Sequence, residues 1–126
     1  KEFYKLIDML LLDYLTLNTD RHFGNISVFV HNDTQKLLGF TPIYDNNLAF
    51  LPTYLEKVDG TIEDYIANYG HINTSTGISF DDLFRLISCK YVKDKLALLR
   101  HFKIQSQYKR VDIANQVLQR QLNRLR

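Results

Sequence analysis

A mainly α-helical domain carrying one small β-hairpin is the fold this sequence predicts, and three features predict it. Apolar residues recur at helical spacing from Phe3 to Leu17. Two short runs, residues 26–30 and 36–40, are rich in β-branched, leucine and aromatic side chains, and they flank the turn-forming string His31-Asn32-Asp33-Thr34-Gln35. Polar helix starts, each followed by an amphipathic stretch, fill the chain after Pro52.

The first helix sets Phe3, Leu6, Ile7, Leu10, Leu11, Tyr14 and Leu17 on one stripe, and Met9, Leu12 and Leu15 widen it until little polar surface remains. A helix apolar on most sides belongs in a core. It runs straight into Asn18, so the loop that follows projects from a rigid central element. The hairpin, about five residues per strand, then folds the chain back on itself. Beyond Pro52, Thr61 with Asp64 and Ser79 with Asp82 have capping-box spacing. The first box opens a short helix that Gly70 can close; the second opens a helix containing Phe80, Leu83, Phe84 and Ile87. Residues 70–77 between them, rich in Asn, Ser and Thr, read as a surface loop. From Lys93 the pattern is helical to the end. Val111, Ala114, Val117, Leu118, Leu122 and Leu125 share one face, and Arg110, Arg120 and Arg124 share another, solvated or facing an acidic partner.

At 126 residues the chain is one domain by size, residues 1–126. Hydrophobic residues make up 45% and charged residues 24%, which argues against long disordered stretches. A formal charge of +2 gives no footing for nucleic acid, so no nucleic-acid partner is expected for this chain alone. Cys89, alone, excludes an intrachain disulfide, sits in a helical pattern as a small packed residue, and fits a reducing cytosol. The run Met9-Leu10-Leu11-Leu12 is cut by Asp13, too short for a membrane span or a signal peptide. Three Asn-x-Ser/Thr strings, at Asn25, Asn32 and Asn73, are read as chance without such a signal. The expected location is cytoplasmic, with a secreted effector as the alternative. Because Lys1 stands first and the opening residues already read as helix, a fragment or processed product is expected.

The chemistry lies in Asn18-Thr19-Asp20-Arg21-His22-Phe23-Gly24-Asn25 and in Pro42-Ile43-Tyr44-Asp45. A carboxylate, an amide five residues on and a second carboxylate twenty residues beyond that suit phosphoryl transfer. That reaction asks for charge neutralisation, in-line positioning and an acceptor for a hydroxyl proton. Magnesium takes hard oxygen ligands and keeps several waters, so one carboxylate and one amide oxygen suffice. Asp45 and Asn25 can supply those oxygens, and Asp20 can orient the hydroxyl and take its proton. Each residue also has a plainer reading. Asp and Asn form turns and caps. His22 either contacts phosphate or braces the loop, and bracing is preferred. Arg21 pairs with a phosphorylated segment, with Asp45, or in a structural salt bridge. Asn18 and Thr19 close the loop. His31, His71 and His101 are scattered without zinc spacing. Tyr54, Tyr65 and Tyr69 line a groove or simply pack.

Asp20-Arg21-His22-x-x-Asn25, then a hairpin, then Pro42-Ile43-Tyr44-Asp45 resembles the catalytic and metal-binding core of the HipA-type serine/threonine kinases, including their CtkA-like effector relatives. The hydrophobic helix before the loop matches as well, so the resemblance spans residues 1–50, with residues 51–126 a helical remainder. It implies a protein-kinase-like C-lobe with Asp20 as the catalytic aspartate. Asn25 and Asp45 are then magnesium ligands, and His22, Asn25 and Asp45 face the nucleotide. ATP and Mg2+ are the implied cofactors, and a protein hydroxyl the acceptor. Asn46-Asn47 follows Asp45 where ordinary protein kinases carry Phe-Gly, so control by a packed Phe is not implied. The phosphoinositide lipid kinases share an Asp-Arg-His-x-x-Asn loop. Absence of Asp-Phe-Gly and the long hairpin favour the HipA-type assignment.

One departure is large. Kinases of this class cover the phosphates with a glycine-rich or equivalent loop and a strand lysine. Ahead of Asp20 stand nineteen residues with no glycine, and lysines only at Lys1 and Lys5. The expectation is a C-terminal lobe without its N-lobe, weak or inactive alone. It would be completed by that lobe or a partner chain, with an antitoxin-like protein a further candidate partner. The competing expectation is a non-catalytic binding module or half of a split kinase.

Overall fold

The computed structural model describes residues 2–50, 61, 63, 64, 66, 67, 74–107 and 110–126. Among these residues the protein is mainly α. Its helices are α1 (Glu2–Thr16), α2 (Phe80–Ile87), α3 (Lys90–Leu96) and α4 (Val111–Leu125). A 3-10 turn, Phe23–Asn25, precedes an antiparallel ribbon of β1 (Val28–Val30) and β2 (Leu37–Phe40). No helix among the described residues is long and apolar enough to cross a membrane.

Helix α1 is the axis: α2, α3 and α4 pack on it, and β2 lies against it. Its Ile7, Leu11, Tyr14 and Leu15 meet Leu83 and Ile87 of α2, Val92 and Leu96 of α3, and Val117 and Leu122 of α4. Each such aliphatic side chain, fully buried, contributes roughly 1.5–3 kcal/mol. The expected all-round burial holds only from Ile7 onward. Phe3 and Tyr4 in the first turn are exposed, 66% and 47%, because that turn extends past the helices stacked on the rest. Tyr4 still stacks on Tyr91 of α3 with ring centroids 4.2 Å apart. Beside it, the Asp8 carboxylate accepts from Tyr91 Oη at 2.9 Å and Lys95 Nζ at 2.6 Å. The bond to Asp8 raises the Lys95 pKa above its ordinary value.

The end of α1 shapes everything after it. Asn18 N–H donates to Asp13 O at 3.0 Å and Leu17 N–H to Tyr14 O at 3.5 Å, the paired bonds of a Schellman cap. The left-handed position of that cap, where glycine is usual, is held by Leu17 at φ 51°. A leucine there costs roughly 1–2 kcal/mol, which burial of its side chain to 1% exposure offsets.

The ribbon is shorter than the expected five residues per strand, with three in β1 and four in β2. Ile26 instead finishes the 3-10 turn, its N–H bonded to Phe23 O. At the other end the register slips: Val28 faces Phe40 and Phe29 faces Gly39, but Val30 faces Leu37. That leaves Leu38 as a bulge. The ribbon is tied to α1 by the Glu2 carboxylate, which accepts from Phe40 N–H at 2.9 Å. Gly39, at φ 145°, makes this approach feasible, since a Cβ there would stand 2.7 Å from Glu2 Oε2.

The box at Thr61 forms in full, Thr61 N–H donating to Asp64 Oδ2 at 3.1 Å. At Ser79 the Asp82 carboxylate accepts from the hydroxyl, and only the N-cap half is made. Ser79 Oγ accepts from Asp82 N–H at 3.1 Å to start α2, and Asp64 N–H donates to Thr61 Oγ1 at 3.1 Å. The expected closure of the short helix at Gly70, and the positions of Tyr54, Tyr65, Tyr69 and His71, lie outside the described residues. Cys89 is half-buried at the start of α3, packed against the core. The expected continuous helix from Lys93 is overturned, because α3 ends at Leu96 and α4 begins at Val111. Between them the chain runs back along α4, where Asn115 grips one residue twice: Ile104 N–H donates to its Oδ1 at 2.8 Å and its Nδ2 donates to Ile104 O at 2.9 Å. Gln119 Nε2 adds a bond to Phe102 O. Of the arginines expected on one open face, Arg120 pairs with Glu63 and Arg124 with Asp81, while Arg124 also lies 4.5 Å over the Phe84 ring. Those two cations therefore meet partners within the chain.

Candidate active site

Asp13 cuts the apolar pattern of α1, and it organises the loop. The residue is wholly buried. A buried carboxylate must be paired, and here Arg21 Nε donates to Oδ2 at 2.8 Å, Arg21 Nη2 to Oδ1 at 2.9 Å and Asn18 Nδ2 to Oδ1 at 2.8 Å. The pair is a two-pronged charge-assisted fork. Of the readings open for Arg21, the structural salt bridge is therefore the one realised, with a partner on α1.

Arg21 has further donors, and they reach the other two segments. Nη1 donates to Asn25 O at 3.0 Å and to Tyr44 O at 3.1 Å, while Nη2 also donates to Asn46 Oδ1 at 2.7 Å. All five N–H groups of the guanidinium are thus used, with the side chain 2% exposed. One planar group holds the carboxylate of α1, the carbonyl of Asn25 and both neighbours of Asp45. Asp45 sits between those two anchors at φ 53°, a left-handed conformation that aspartate tolerates better than most residues. Its side chain is exposed.

Tyr44 adds a second tie between the post-hairpin segment and the loop. Its hydroxyl donates to Gly24 O at 2.8 Å and lies 2.6 Å from Ser27 Oγ. Asn25 is buried at 4% exposure, and its Nδ2 donates to Asp20 O at 2.9 Å. With that nitrogen committed, Oδ1 is the atom left to accept, which is the atom a hard cation needs. An amide oxygen and the exposed Asp45 carboxylate are oxygens of the kind magnesium takes. Among the described residues no group of three or more His, Cys, Asp or Glu could hold a metal ion. Two side chains alone would leave most of a magnesium ion's coordination to water and phosphate.

His22 braces the turn. Its Nδ1 accepts from Gly24 N–H at 3.0 Å, capping the 3-10 turn, which leaves the neutral ring's proton on Nε2. A Cβ on Gly24 would stand 2.8 Å from His22 Cε1, so any larger residue there displaces the ring. Asn18 closes the loop as expected, its Oδ1 accepting from Asp20 N–H at 3.2 Å.

Asp20 is half-buried, its backbone held by Asn18 and Asn25. Ser75 approaches from a distant part of the chain: its N–H donates to Thr19 O at 2.8 Å, and its Oγ lies 3.3 Å from Asp20 Oδ1. Neither Ser75 nor Asp13 stood out in the sequence as a site residue. Asp13 carried a usable signal, a lone carboxylate within an otherwise apolar helical stripe, which calls for a buried cation. Ser75, in a polar turn, carried none.

A cavity of about 430 Å3 opens between the first turns of α1 and the ribbon, and Lys5, Met9, Asn25, Phe29 and Ile43 are among its walls. The ribbon leaves Phe29, Leu37 and Leu38 exposed by 54%, 63% and 61%, and of these Phe29 lines the cavity. Neither a protein-family model, a curated protein nor a solved structure matches the chain.

Proposed function

We propose that this chain is the catalytic lobe of a HipA-like serine/threonine protein kinase, transferring the γ-phosphate of ATP to a protein hydroxyl. The observation that carries the reading is the Arg21 guanidinium, bonded at once to the residue before Asp45, the residue after it, and the backbone of Asn25. Asn25 and the two neighbours of Asp45 share that one guanidinium, and Asp20 is linked to them through the bond from Asn25 Nδ2 to its carbonyl. Asn25 Oδ1 and Asp45 would hold magnesium, which neutralises charge on the transferring phosphate. Asp20 would accept the hydroxyl proton as the oxygen attacks phosphorus and the bond to the ADP oxygen breaks. His22 is assigned to bracing, through its Nδ1 bond to Gly24 N–H.

A second reading has its own support. Exposed apolar side chains on the ribbon and the cavity lined by Phe29 suit a chain that works with another protein segment. On that reading the lobe is half of a split kinase or a binding module. One experiment separates the two. The chain is joined to the nucleotide-binding lobe of a HipA-type kinase and assayed with magnesium-ATP and protein acceptors, with Asp20→Asn as control. Phosphate transfer lost in the control supports the kinase. Tight assembly without transfer supports the binding module, and transfer that survives Asp20→Asn removes Asp20 from the mechanism. Lipid headgroups among the acceptors test for lipid-kinase activity in the same assay.

A further inference from the structure

Asp20 is fixed at both ends of its own backbone. Its N–H donates to Asn18 Oδ1 at 3.2 Å and its carbonyl accepts from Asn25 Nδ2 at 2.9 Å. What remains free is the torsion of the side chain, and a base that can rotate away from its acceptor is a poor one. Ser75 meets that side chain from 55 residues further along.

We propose that Ser75 is a positioning residue for Asp20: its hydroxyl holds Oδ1, so that Oδ2 is presented to the acceptor alcohol. The inference rests on the kinase reading, since it assigns Asp20 a reacting oxygen. The serine is itself held firmly. Its N–H donates to Thr19 O at 2.8 Å, and its Oγ lies 3.2 Å from the same carbonyl, so the hydroxyl proton is shared between Thr19 O and the carboxylate. The turn that carries it is closed by Gly77 N–H to Thr74 O at 2.8 Å, and Thr74, buried to 5% exposure, bonds Ile78 O through both its N–H and its hydroxyl. Ile78 and Ser79 lead directly into α2, which packs on α1. Asp20 is thus steadied from the side of α2, while Asn25 and Asp45 are steadied by Arg21 from the side of α1.

A hydroxyl on the base is also the geometry of an acceptor, so Ser75 as the target of self-phosphorylation is the alternative outcome. The backbone bond to Thr19 argues against it. A phosphoserine pinned there would hold a dianion against the Asp20 carboxylate.

Two measurements test the proposal. In the enzyme joined to its nucleotide-binding lobe, Ser75→Ala should lower kcat about tenfold with the KM for ATP unchanged, and Ser75→Thr, which keeps the hydroxyl, should restore most of it. In the isolated chain, which needs no turnover, Hα–Hβ couplings of Asp20 should report one rotamer in the wild type and averaging in Ser75→Ala. An unchanged kcat in Ser75→Ala, unchanged couplings, or phosphate recovered on Ser75 overturns the inference while leaving the kinase reading intact. Absence of transfer by the joined wild-type enzyme overturns the kinase reading instead, and the couplings still decide whether Ser75 restrains Asp20.

Discussion

Replacing Arg21 by alanine removes five hydrogen bonds and leaves the Asp13 carboxylate buried without its cation. Removing one member of a buried ion pair costs about 3–5 kcal/mol. The bonds to Asn25 O, Tyr44 O and Asn46 Oδ1, at about 1 kcal/mol each, are lost with it. Since the two accounts overlap at the same residue, a total near 5 kcal/mol is expected, a large share of the 5–15 kcal/mol that holds a domain of this size. Arg21→Lys keeps the charge but has three donors and no fork, so a loss of about 2–3 kcal/mol is expected. Substituting both partners, Arg21→Met with Asp13→Leu, should recover most of the stability because no charge is left stranded. It should not recover the site, since Tyr44 and Asn46 lose their anchor. Urea unfolding of the four proteins gives the stabilities, and amide exchange at residues 44–46 reports the anchor. An Arg21→Ala protein within about 1 kcal/mol of the wild type would refute the reasoning, as would full protection of residues 44–46 in the double variant.

Gly24→Ala should push the His22 ring off its cap and cost about 1 kcal/mol, read from urea unfolding and from the His22 Nδ1 shift. Asn115→Ala removes both bonds to Ile104 and should cost about 2 kcal/mol, with exchange accelerating at Ile104 and little change in the Asp20 loop. The bond from Phe40 N–H holds the Glu2 pKa below its ordinary value of 4.5. A depressed folded-state value gives a contribution present above the unfolded pKa and lost as pH falls through the folded one. Acid titration should therefore release Phe40, seen as a shift of its amide resonance below pH 4.5, and Glu2→Ala should abolish that shift.

What could be read in advance followed the range of the interactions. The helix starts at Thr61 and Ser79 are local, formed within three residues, and in both the N-cap hydroxyl accepts from the residue three further on. The spacing of Asp20, His22 and Asn25 was also local, and bracing by His22 followed from it. From sequence Arg21 is a charge with several possible partners, and the one it takes is Asp13 in α1, where the sequence shows only a break in an apolar run. The helix expected from Lys93 failed for a related reason. Helical pattern cannot foresee that Asn115 will hold the backbone of Ile104 and Gln119 that of Phe102, keeping residues 102–104 alongside α4. Ser75 was out of reach, since only the packing of α2 on α1 carries its turn to Thr19.

The five-way use of Arg21 has a consequence for how the molecule behaves as it opens. A turn, the segment after the hairpin and the last turns of α1 share one cation, so none can drift while the others keep their places. Loosening the second half of α1 should scatter all three together, in a single cooperative event. Local breathing of the loop alone, with the helix intact, should be rare.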